Sequence, residues 1–398
     1  MIQRIFHPVG QGAFYSERHE NHNIVYDCGT HYFNRGKKGI KNTISQSFSK
    51  DEIIDILFIS HFDYDHVSLI EHLKKSVKKI RLVVMPLLCD DEKILLCNIF
   101  KALGEKALVT LVENPEEFFG AKTHIIRVKL SSEKKINSKG KTDKDTPSII
   151  SLNNINKYSE IPSGTLIAIE EHSDWIFIPF NYEYKDRSKE FLNKLRANNI
   201  DINELKNPDY DYTKHRKTIK ETYEEVGDIN ENSMFLYSGP TINKKNFYYT
   251  YLYRPNKHYC HFYFHPFHNI KQDRVACLYT GDGDLNIVDV EKTVIEKIYE
   301  RYWNLIGTIQ IPHHGSLYSF NNKILKDNVF ICPISVGKDN PYGHPSIKVI
   351  SEILSHKSYP IYVTEDIDSI FIEIIEKKLS DFQELEKELK LLEEQKII

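Results

Sequence analysis

One short segment constrains this chain more than any other: an apolar run followed at once by imidazole and carboxylate side chains. The run extends from Ile53 to Ile59, and the polar residues that follow it are His61, Asp63, Asp65 and His66. Alternate residues of an extended segment point to the same side, so His61, Asp63 and Asp65 can converge, and a turn after Asp65 brings His66 round. The segment therefore predicts a metal-binding loop at the end of a buried strand.

The same four side chains have a structural alternative. His61 and His66 would then be polar ends of a strand, and Asp63 and Asp65 would cap a helix that begins near Val67. Four ligands of mixed hardness, however, suit two divalent ions better than one closed structural site. We therefore favour the metal site.

Acids and histidines follow further apolar, strand-like runs along the chain. Asp27 lies just after the short run that begins at Ile24, and Asp282 lies just after the run that ends at Tyr279. The remaining cases are His313, His314 and His344. Such a recurrence is unusual for residues that serve only solubility. We expect these strand ends to lie together.

The order of these motifs resembles that of metallo-β-lactamase-fold hydrolases, specifically the branch similar to the soluble domain of the ComEC competence protein. The motifs are Val9-Gly10-Gln11-Gly12, Asp27-Cys28-Gly29, His61 to His66, Thr280-Gly281-Asp282, Pro312 to Ser316 and Tyr342-Gly343-His344-Pro345. They fall within residues 1–90 and 230–370. The resemblance implies an α/β fold, a four-layer αββα sandwich with the metals in a groove along one edge.

Three departures from the family pattern affect the site. Pro8 and Ala13 stand where the branch usually has acids, and Asn232-Ser233 stands where the wider superfamily has a third-motif histidine, so one ion would have fewer protein ligands. Asp63 replaces a histidine, which makes the site richer in oxygen. Ligand softness then favours Zn²⁺ or Mn²⁺ over Mg²⁺.

For two divalent ions we assign His61 and Asp63 to one ion, and Asp65, His66 and His313 to the other. Asp282 would bridge both ions. The sequence leaves open whether His313 or His314 is the ligand. Asp27 fits a supporting role, in which it accepts a hydrogen bond from a ligating histidine and fixes its tautomer.

Two such ions predict hydrolysis, with attack by a metal-bridging hydroxide. Asp65 is the expected partner for the proton of that hydroxide. Either His314 or His344 would stabilise the developing oxyanion or protonate the leaving group. His344 precedes a proline, so it could instead be an ordinary turn residue.

Length and composition predict a soluble enzyme. The chain has 398 residues, 40% of them hydrophobic and 27% charged, and we expect one domain over residues 1–398. With no signal pattern and no apolar stretch of membrane-spanning length, the expected location is the cytoplasm, away from membranes.

Three segments lie outside the motifs. Residues 180–230 carry helical patterns and predict a helical cap beside the groove, where substrate choice would lie. Residues 372–398 predict an amphipathic C-terminal helix, docked on its own domain or used for oligomerisation. Residues 247–268 alternate aromatic and cationic residues, which favours a β-hairpin over a nucleobase-binding surface, with His265 and His268 as further candidate ligands.

The resemblance implies phosphodiester substrates, with nucleic acid first. The net charge of −3 argues mildly against extended duplex binding, which normally requires a basic face. The alternatives are a small-molecule hydrolase acting on a nucleotide or ester, and a non-catalytic regulatory or binding subunit. Because a free nuclease would damage its host, we also hypothesise a regulatory protein partner and a role in phage defence.

Overall fold

The computed structural model describes residues 1–31, 37–131, 149–170, 173–183, 189–226, 232–242, 248–253, 273–286 and 293–377. Two β-sheets lie between two helical layers. Within the described residues, none of the helices combines the length and the apolar character needed to cross a membrane.

The first sheet is mixed. Its strands, in spatial order, are β12 (Tyr248–Tyr253), β17 (Phe371–Lys377), β1 (Ile2–Phe6), β2 (Phe14–Arg18), β3 (Asn23–Cys28), β4 (Ile53–Phe58), β5 (Lys79–Pro86), β6 (His124–Ser131) and β8 (Glu160–Pro162). Neighbours from β12 to β3 are antiparallel, whereas those from β3 to β8 are parallel. The parallel part brings the carboxyl ends of β3 and β4 to one edge.

The second sheet is also mixed. Its strands, in spatial order, are β7 (Ile149–Ser151), β9 (Leu166–Ala168), β10 (Trp175–Glu183), β11 (Asn232–Pro240), β13 (Ala276–Tyr279), β14 (Ile306–Ile309), β15 (Ile331–Ser335) and β16 (Tyr359–Val363). The strands from β13 to β16 are parallel. The end of β6 pairs with β10 and joins the two sheets along one side.

Helices cover the outer face of each sheet. Against the first sheet lie α1 (Lys37–Ser47), α3 (Ile70–Ser76), α4 (Asp90–Leu103), α5 (Lys106–Glu113), α6 (Pro115–Phe119), α7 (Lys189–Ala197), α8 (Ile202–Leu205) and α9 (Arg216–Val226), and α2 (Tyr64–Val67) follows β4. Against the second sheet lie α10 (Val294–Ile298) and α11 (Ile347–Ser355).

The packing of strand β4 explains why its sequence is apolar almost throughout. Ile56 and Phe58 pack between the two sheets, whereas Leu57 and the following Ile59 pack against the helices. A strand buried on both faces reads as a continuous hydrophobic run. The predicted α/β, four-layer αββα architecture is confirmed by this arrangement of layers.

A polar cluster is buried between the sheets. Arg4 on β1 lies between its cross-strand neighbours Glu17 on β2 and Glu373 on β17. Its Nε donates to Glu17 Oε1 at 2.8 Å and its Nη1 to Glu373 Oε2 at 2.6 Å, and all three side chains are buried. Tyr279 and Ser238 of the second sheet also donate to Glu17. The hydrogen bonds of this cluster therefore link the two sheets at one position.

The prediction of a helix beginning at residue 372 is wrong for residues 372–377. This segment belongs to β17, with Phe371, Glu373 and Ile375 buried. The alternation of burial has the period of a strand, and pairing with β1 and β12 satisfies the backbone on both sides. Residues 378–398 lie outside the described residues.

Two further segments differ in extent from the sequence prediction. In the segment 180–230, residues 180–183 continue β10, and helices α7 to α9 occupy 189–226. Of the aromatic stretch, Tyr248–Tyr253 forms β12, whose partner is β17. The rest of that stretch, with His265 and His268, lies outside the described residues.

Candidate metal centre

The candidate site lies where the carboxyl ends of parallel strands from both sheets meet. Strands β3 and β4 of the first sheet lead to Asp27 and to the His61–His66 loop. Strands β13, β14 and β15 of the second sheet lead to Asp282, to His313 and His314, and to the loop that carries His344. Sequence positions 249 residues apart thus meet at one edge, as when His314 contacts Asp65.

Two groups of potential ligand atoms share His66. The first comprises His61, His66 and Asp282, and the second comprises Asp65, His66 and His314, with the ligand atoms of each group within 4.8 Å of one another. Asp282 presents Oδ1 to His66 Nε2 at 3.0 Å and Oδ2 to His61 Nε2 at 3.6 Å. A carboxylate whose two oxygens face two different histidines has the geometry needed to bridge two ions.

Asp63 lies at the edge of the first group. Its Oδ2 is 3.2 Å from His61 Nε2, which is the pairing expected from the sequence. The side chain is buried, as are His61, His66 and Asp282.

Asp27 orients both histidines of the His61–His66 loop. Its Oδ2 is 2.8 Å from His66 Nδ1 and also accepts from Ser60 Oγ at 2.6 Å. Because Ser60 Oγ donates to Asp27, its oxygen can accept from His61 Nδ1, which lies 2.8 Å away. With protons on both Nδ1 atoms, the Nε2 atoms turn into the site. Sequence reasoning gave Asp27 this role for a histidine but missed Ser60, although Ser60 directly precedes His61.

The structure brings His314, rather than His313, into the ligand cluster. His314 Nδ1 donates to the carbonyl oxygen of Ser335 at 2.7 Å, and Nε2 is 2.8 Å from Asp65 Oδ2. His313 is half-buried and contacts Ser319 Oγ through Nδ1 at 3.2 Å. The sequence left the choice between His313 and His314 open, and we favour His314 because the Ser335 carbonyl directs its imidazole toward Asp65.

The backbone at these residues is unusual. Asp27, His313 and His314 all have positive φ values, of 55°, 47° and 55°. Non-glycine residues in this region are uncommon, and such strained positions cluster at functional sites. At His313 and His314 the two successive left-handed residues turn the second imidazole into the cluster.

His344 occupies a different position from the ligand cluster. Its half-buried ring packs against His313 and Tyr342, with centroid distances of 5.5 and 5.9 Å. It lines the same cavity as Asp65 and His314. The residue is therefore available to a bound substrate without belonging to either ligand group.

The charges of the site are strongly coupled. Burial acts to lower the pKa of His66, but the carboxylates of Asp282 and Asp27 outweigh it and hold that pKa well above its ordinary value. Burial likewise opposes the ionised form of Asp282, yet His66, His313 and His61 keep the pKa of Asp282 well below its usual range. The carboxylates are therefore ionised, and a divalent cation bound here would displace the proton of His66, because a ligating histidine is neutral.

A second observation also indicates that the residues present fit a metal ion. The Nε2 atoms of His61 and His66 are buried and face carboxylate oxygens of Asp63 and Asp282 at 3.0 to 3.6 Å, yet neither forms a well-directed hydrogen bond within the described residues. Buried polar atoms are normally satisfied, so such atoms in a native structure call for an explanation. Divalent ions held by these imidazole nitrogens and by carboxylate oxygens would explain the two buried nitrogen atoms. Neither ligand group includes a residue of Asn232–Pro240, where Ser233 instead contacts the carbonyl oxygen of Thr280.

The helices of the segment 180–230 contact the site. Tyr223 on α9 is buried, and its hydroxyl accepts a hydrogen bond from the backbone N–H of Tyr64, inside the His61–His66 loop, at 2.9 Å. Glu190 and Glu225 line the cavity above the ligands. Nothing in the local sequence indicated the contact made by Tyr223.

Comparison with known proteins gives two solved structures of interest. The metallo-β-lactamase fold protein YhfI from Bacillus subtilis is 6% identical, with a TM-score of 0.33, and the alignment covers 95% of this chain and 100% of that chain. Human tRNase Z, short form, is 8% identical, with a TM-score of 0.35 and coverage of 94% and 98%. No family model matches the chain, and no curated protein matches it.

Proposed function

We propose that the protein is a metal-dependent hydrolase that cleaves phosphodiester bonds. The observation that carries the proposal is the convergence of His61, His66, Asp65, His314 and Asp282 at one sheet edge, with buried histidine nitrogens turned toward carboxylates. The resemblance of the motifs to the ComEC-like branch supports nucleic acid as the first candidate substrate.

Most of the site residues would hold metal ions, and Asp65 would both hold an ion and take part in the reaction. His61, Asp63 and Asp282 would hold one divalent ion, and His66, Asp65 and His314 the other, with Asp282 between them. Zn²⁺ or Mn²⁺ suits this mixture of nitrogen and oxygen donors. Ions bound there would activate water and neutralise the charge that develops on a phosphate.

Asp65 and His344 would do the remaining chemistry. Asp65 lies in the cavity and carries a pKa below its ordinary range: burial opposes this shift, but the contact with His314 outweighs it. It is therefore ionised and able to orient the attacking water. His344 lines the cavity outside the ligand groups and could donate a proton to the leaving oxygen.

The test is hydrolysis of labelled single- and double-stranded DNA by the wild-type protein and Asp65→Ala, with Mn²⁺, Zn²⁺ or Mg²⁺ at two salt concentrations. We expect Mn²⁺- or Zn²⁺-dependent cleavage that Asp65→Ala reduces by about 10²- to 10⁴-fold. Absence of cleavage of any phosphodiester by the wild-type protein would contradict the proposal.

Metal content distinguishes the two adjacent histidines. After loading and dialysis, His314→Ala should retain less metal per chain than the wild-type protein, because His314 belongs to a ligand group and His313 does not. His313→Ala is the matched control and should retain metal. Equal loss in both variants would contradict the assignment of His314.

A regulatory protein partner and a role in phage defence remain part of the proposal. Their basis is that an unrestrained nuclease would damage its host. Full-rate digestion of DNA by the isolated chain would contradict this part.

A further inference from the structure

Among the described residues, three tyrosines line the cavity above the ligand residues. Tyr223 contacts the His61–His66 loop, whereas Tyr318 and Tyr342 have no part in the proposed ligand set or the proposed chemistry. The cavity has a volume of about 260 Å³ and is lined by Asp65, His314, His344, Tyr318, Tyr342 and Glu225, among others. This volume is near the lower end of small-ligand pockets, which begin at about 300 Å³.

Tyr318 is held at the cavity with its ring in solvent. The residue is 88% exposed. Its backbone is nevertheless fixed, because its N–H donates to Ser316 Oγ at 3.3 Å and its carbonyl accepts from Asn286. Ser316 directly follows the segment that carries His313 and His314. A large aromatic ring that is almost wholly exposed, on an anchored backbone beside a reactive site, offers a binding surface.

Tyr342 begins a row of rings that leads from the cavity to the ligands. Its ring lies roughly parallel to that of His344, with centroids 5.9 Å apart, and the row continues through His313 at 5.5 Å to His314 at 6.1 Å. Asn340 fixes this loop by accepting from the N–H of His344 at 2.9 Å and donating to its carbonyl at 2.7 Å.

The charge of the cavity argues against binding through a phosphate backbone. Of the described residues that line it, none is lysine or arginine, whereas Glu190 and Glu225 belong to the lining. Lys194 pairs with both glutamates, at 3.5 and 2.7 Å. Duplex binding depends on basic side chains that neutralise successive phosphates, whereas the stacking of one unpaired base on an aromatic ring is a contribution that needs no positive charge.

We propose that this site takes a phosphodiester flanked by an unpaired nucleobase, and that the base stacks on Tyr318 and Tyr342. The inference rests on the proposed phosphodiesterase function and names its substrate class. A single-stranded nucleic acid and a free dinucleotide share this chemistry. A base pair within a duplex does not, because both faces of each base are already stacked.

Binding and hydrolysis are measured separately, with metal-loaded wild-type protein, Tyr318→Ala, Tyr318→Phe and, as a matched control, Tyr158→Ala. Tyr158 is also an exposed tyrosine, at 42%, and does not line this cavity. Binding is followed by fluorescence anisotropy with a labelled single-stranded phosphorothioate oligonucleotide, its abasic counterpart and its duplex. Hydrolysis is followed with a dinucleoside phosphate and a single-stranded oligonucleotide.

We expect Tyr318→Ala to weaken single-strand binding about tenfold, the effect of losing one stacked base. Tyr318→Phe and Tyr158→Ala should bind as the wild-type protein does, and the abasic oligonucleotide should bind all four proteins alike. Hydrolysis of the dinucleoside phosphate but not of the oligonucleotide would identify a free dinucleotide as the substrate, and hydrolysis of both would identify a nucleic-acid strand.

Two results would overturn the inference: unchanged single-strand binding by Tyr318→Ala, or duplex binding as tight as single-strand binding. The failure of the proposed function looks different. In that case the wild-type protein hydrolyses no phosphodiester, while the anisotropy measurements still report whether Tyr318 holds a base.

Discussion

At the scale of single residues, the candidate site depends on side chains that position other side chains. Asp27 contacts His66 directly and His61 through Ser60, and Ser335 provides the carbonyl that orients His314. Groups of this kind set the tautomer and direction of a metal ligand, and their loss typically costs metal affinity rather than the fold.

Asp27→Asn tests this role. The amide keeps the shape of the side chain but loses the charge that stabilises the two histidines, so we expect metal affinity to fall about 10- to 100-fold. A competition titration against a fluorescent chelator measures it, with circular dichroism to verify folding. The matched control is Asp55→Asn, since Asp55 pairs with Arg81 and lies in neither ligand group. An Asp27→Asn variant with wild-type affinity would refute the role.

At the scale of elements, the His61–His66 loop is held by close packing between backbones. Gly29, directly after β3, has no room for a side chain: a Cβ atom there would lie 2.3 Å from the Asp65 carbonyl oxygen and 2.6 Å from the His66 carbonyl carbon. The motif Asp27-Cys28-Gly29 therefore combines a carboxylate with the glycine that lets the ligand-bearing turn approach it.

Gly29→Ala should lower the free energy of unfolding by about 1–3 kcal/mol, because backbone atoms must move to admit the methyl group. It should also weaken metal binding, since the displaced atoms belong to Asp65 and His66. Gly39→Ala is the control. Gly39 lies in α1 with nothing within 4 Å of its Cβ position, so alanine should leave stability unchanged or raise it by up to about 1 kcal/mol. Chemical denaturation compares the two, and equal effects would contradict the packing argument.

The elements also show where sequence patterns fail. Ile375 and the leucines that follow it suggested one helix from residue 372, yet residues 372–377 form a strand. Isoleucine and phenylalanine are compatible with either structure over so short a span. The strand was favoured because one edge of β1 is free to pair with it. The two paired strands, β1 and β17, lie some 370 residues apart in sequence.

At the scale of the whole molecule, the two sheets are joined by apolar packing and by the buried cluster of Arg4, Glu17 and Glu373. Burial acts to raise the pKa of Glu17, but Arg4 and His19 hold it well below its ordinary value. Glu17 therefore contributes stability that is present above its unfolded pKa of about 4.5 and is lost as the pH falls below it.

Arg4→Met should reduce the free energy of unfolding at pH 7 by about 3–5 kcal/mol, because it leaves two carboxylates buried without their partner. The pKa of Glu17 in the variant should rise above its unfolded value, so the folded variant takes up protons first. The deficit relative to the wild-type protein should therefore shrink as the pH is lowered from 7 toward 5.

Urea denaturation at the two pH values measures both effects. The control is Arg127→Met, whose ion pair with Glu116 is partly exposed and should contribute about 1 kcal/mol or less. A deficit in Arg4→Met that does not change with pH would contradict the assigned coupling.

The sequence by itself determined the strand ends that carry acids and histidines, because apolar runs and short motifs are local properties. The order of these motifs also implied the four-layer fold, through its resemblance to a known family. The tertiary structure decided which of these side chains meet. His314 is distinguished from His313 by the carbonyl of Ser335, 21 residues further along the chain, which accepts a hydrogen bond from His314 Nδ1. The contact between Tyr223 and the His61–His66 loop spans 159 residues. Such contacts depend on how separate strands and helices are brought together, and no local pattern records them.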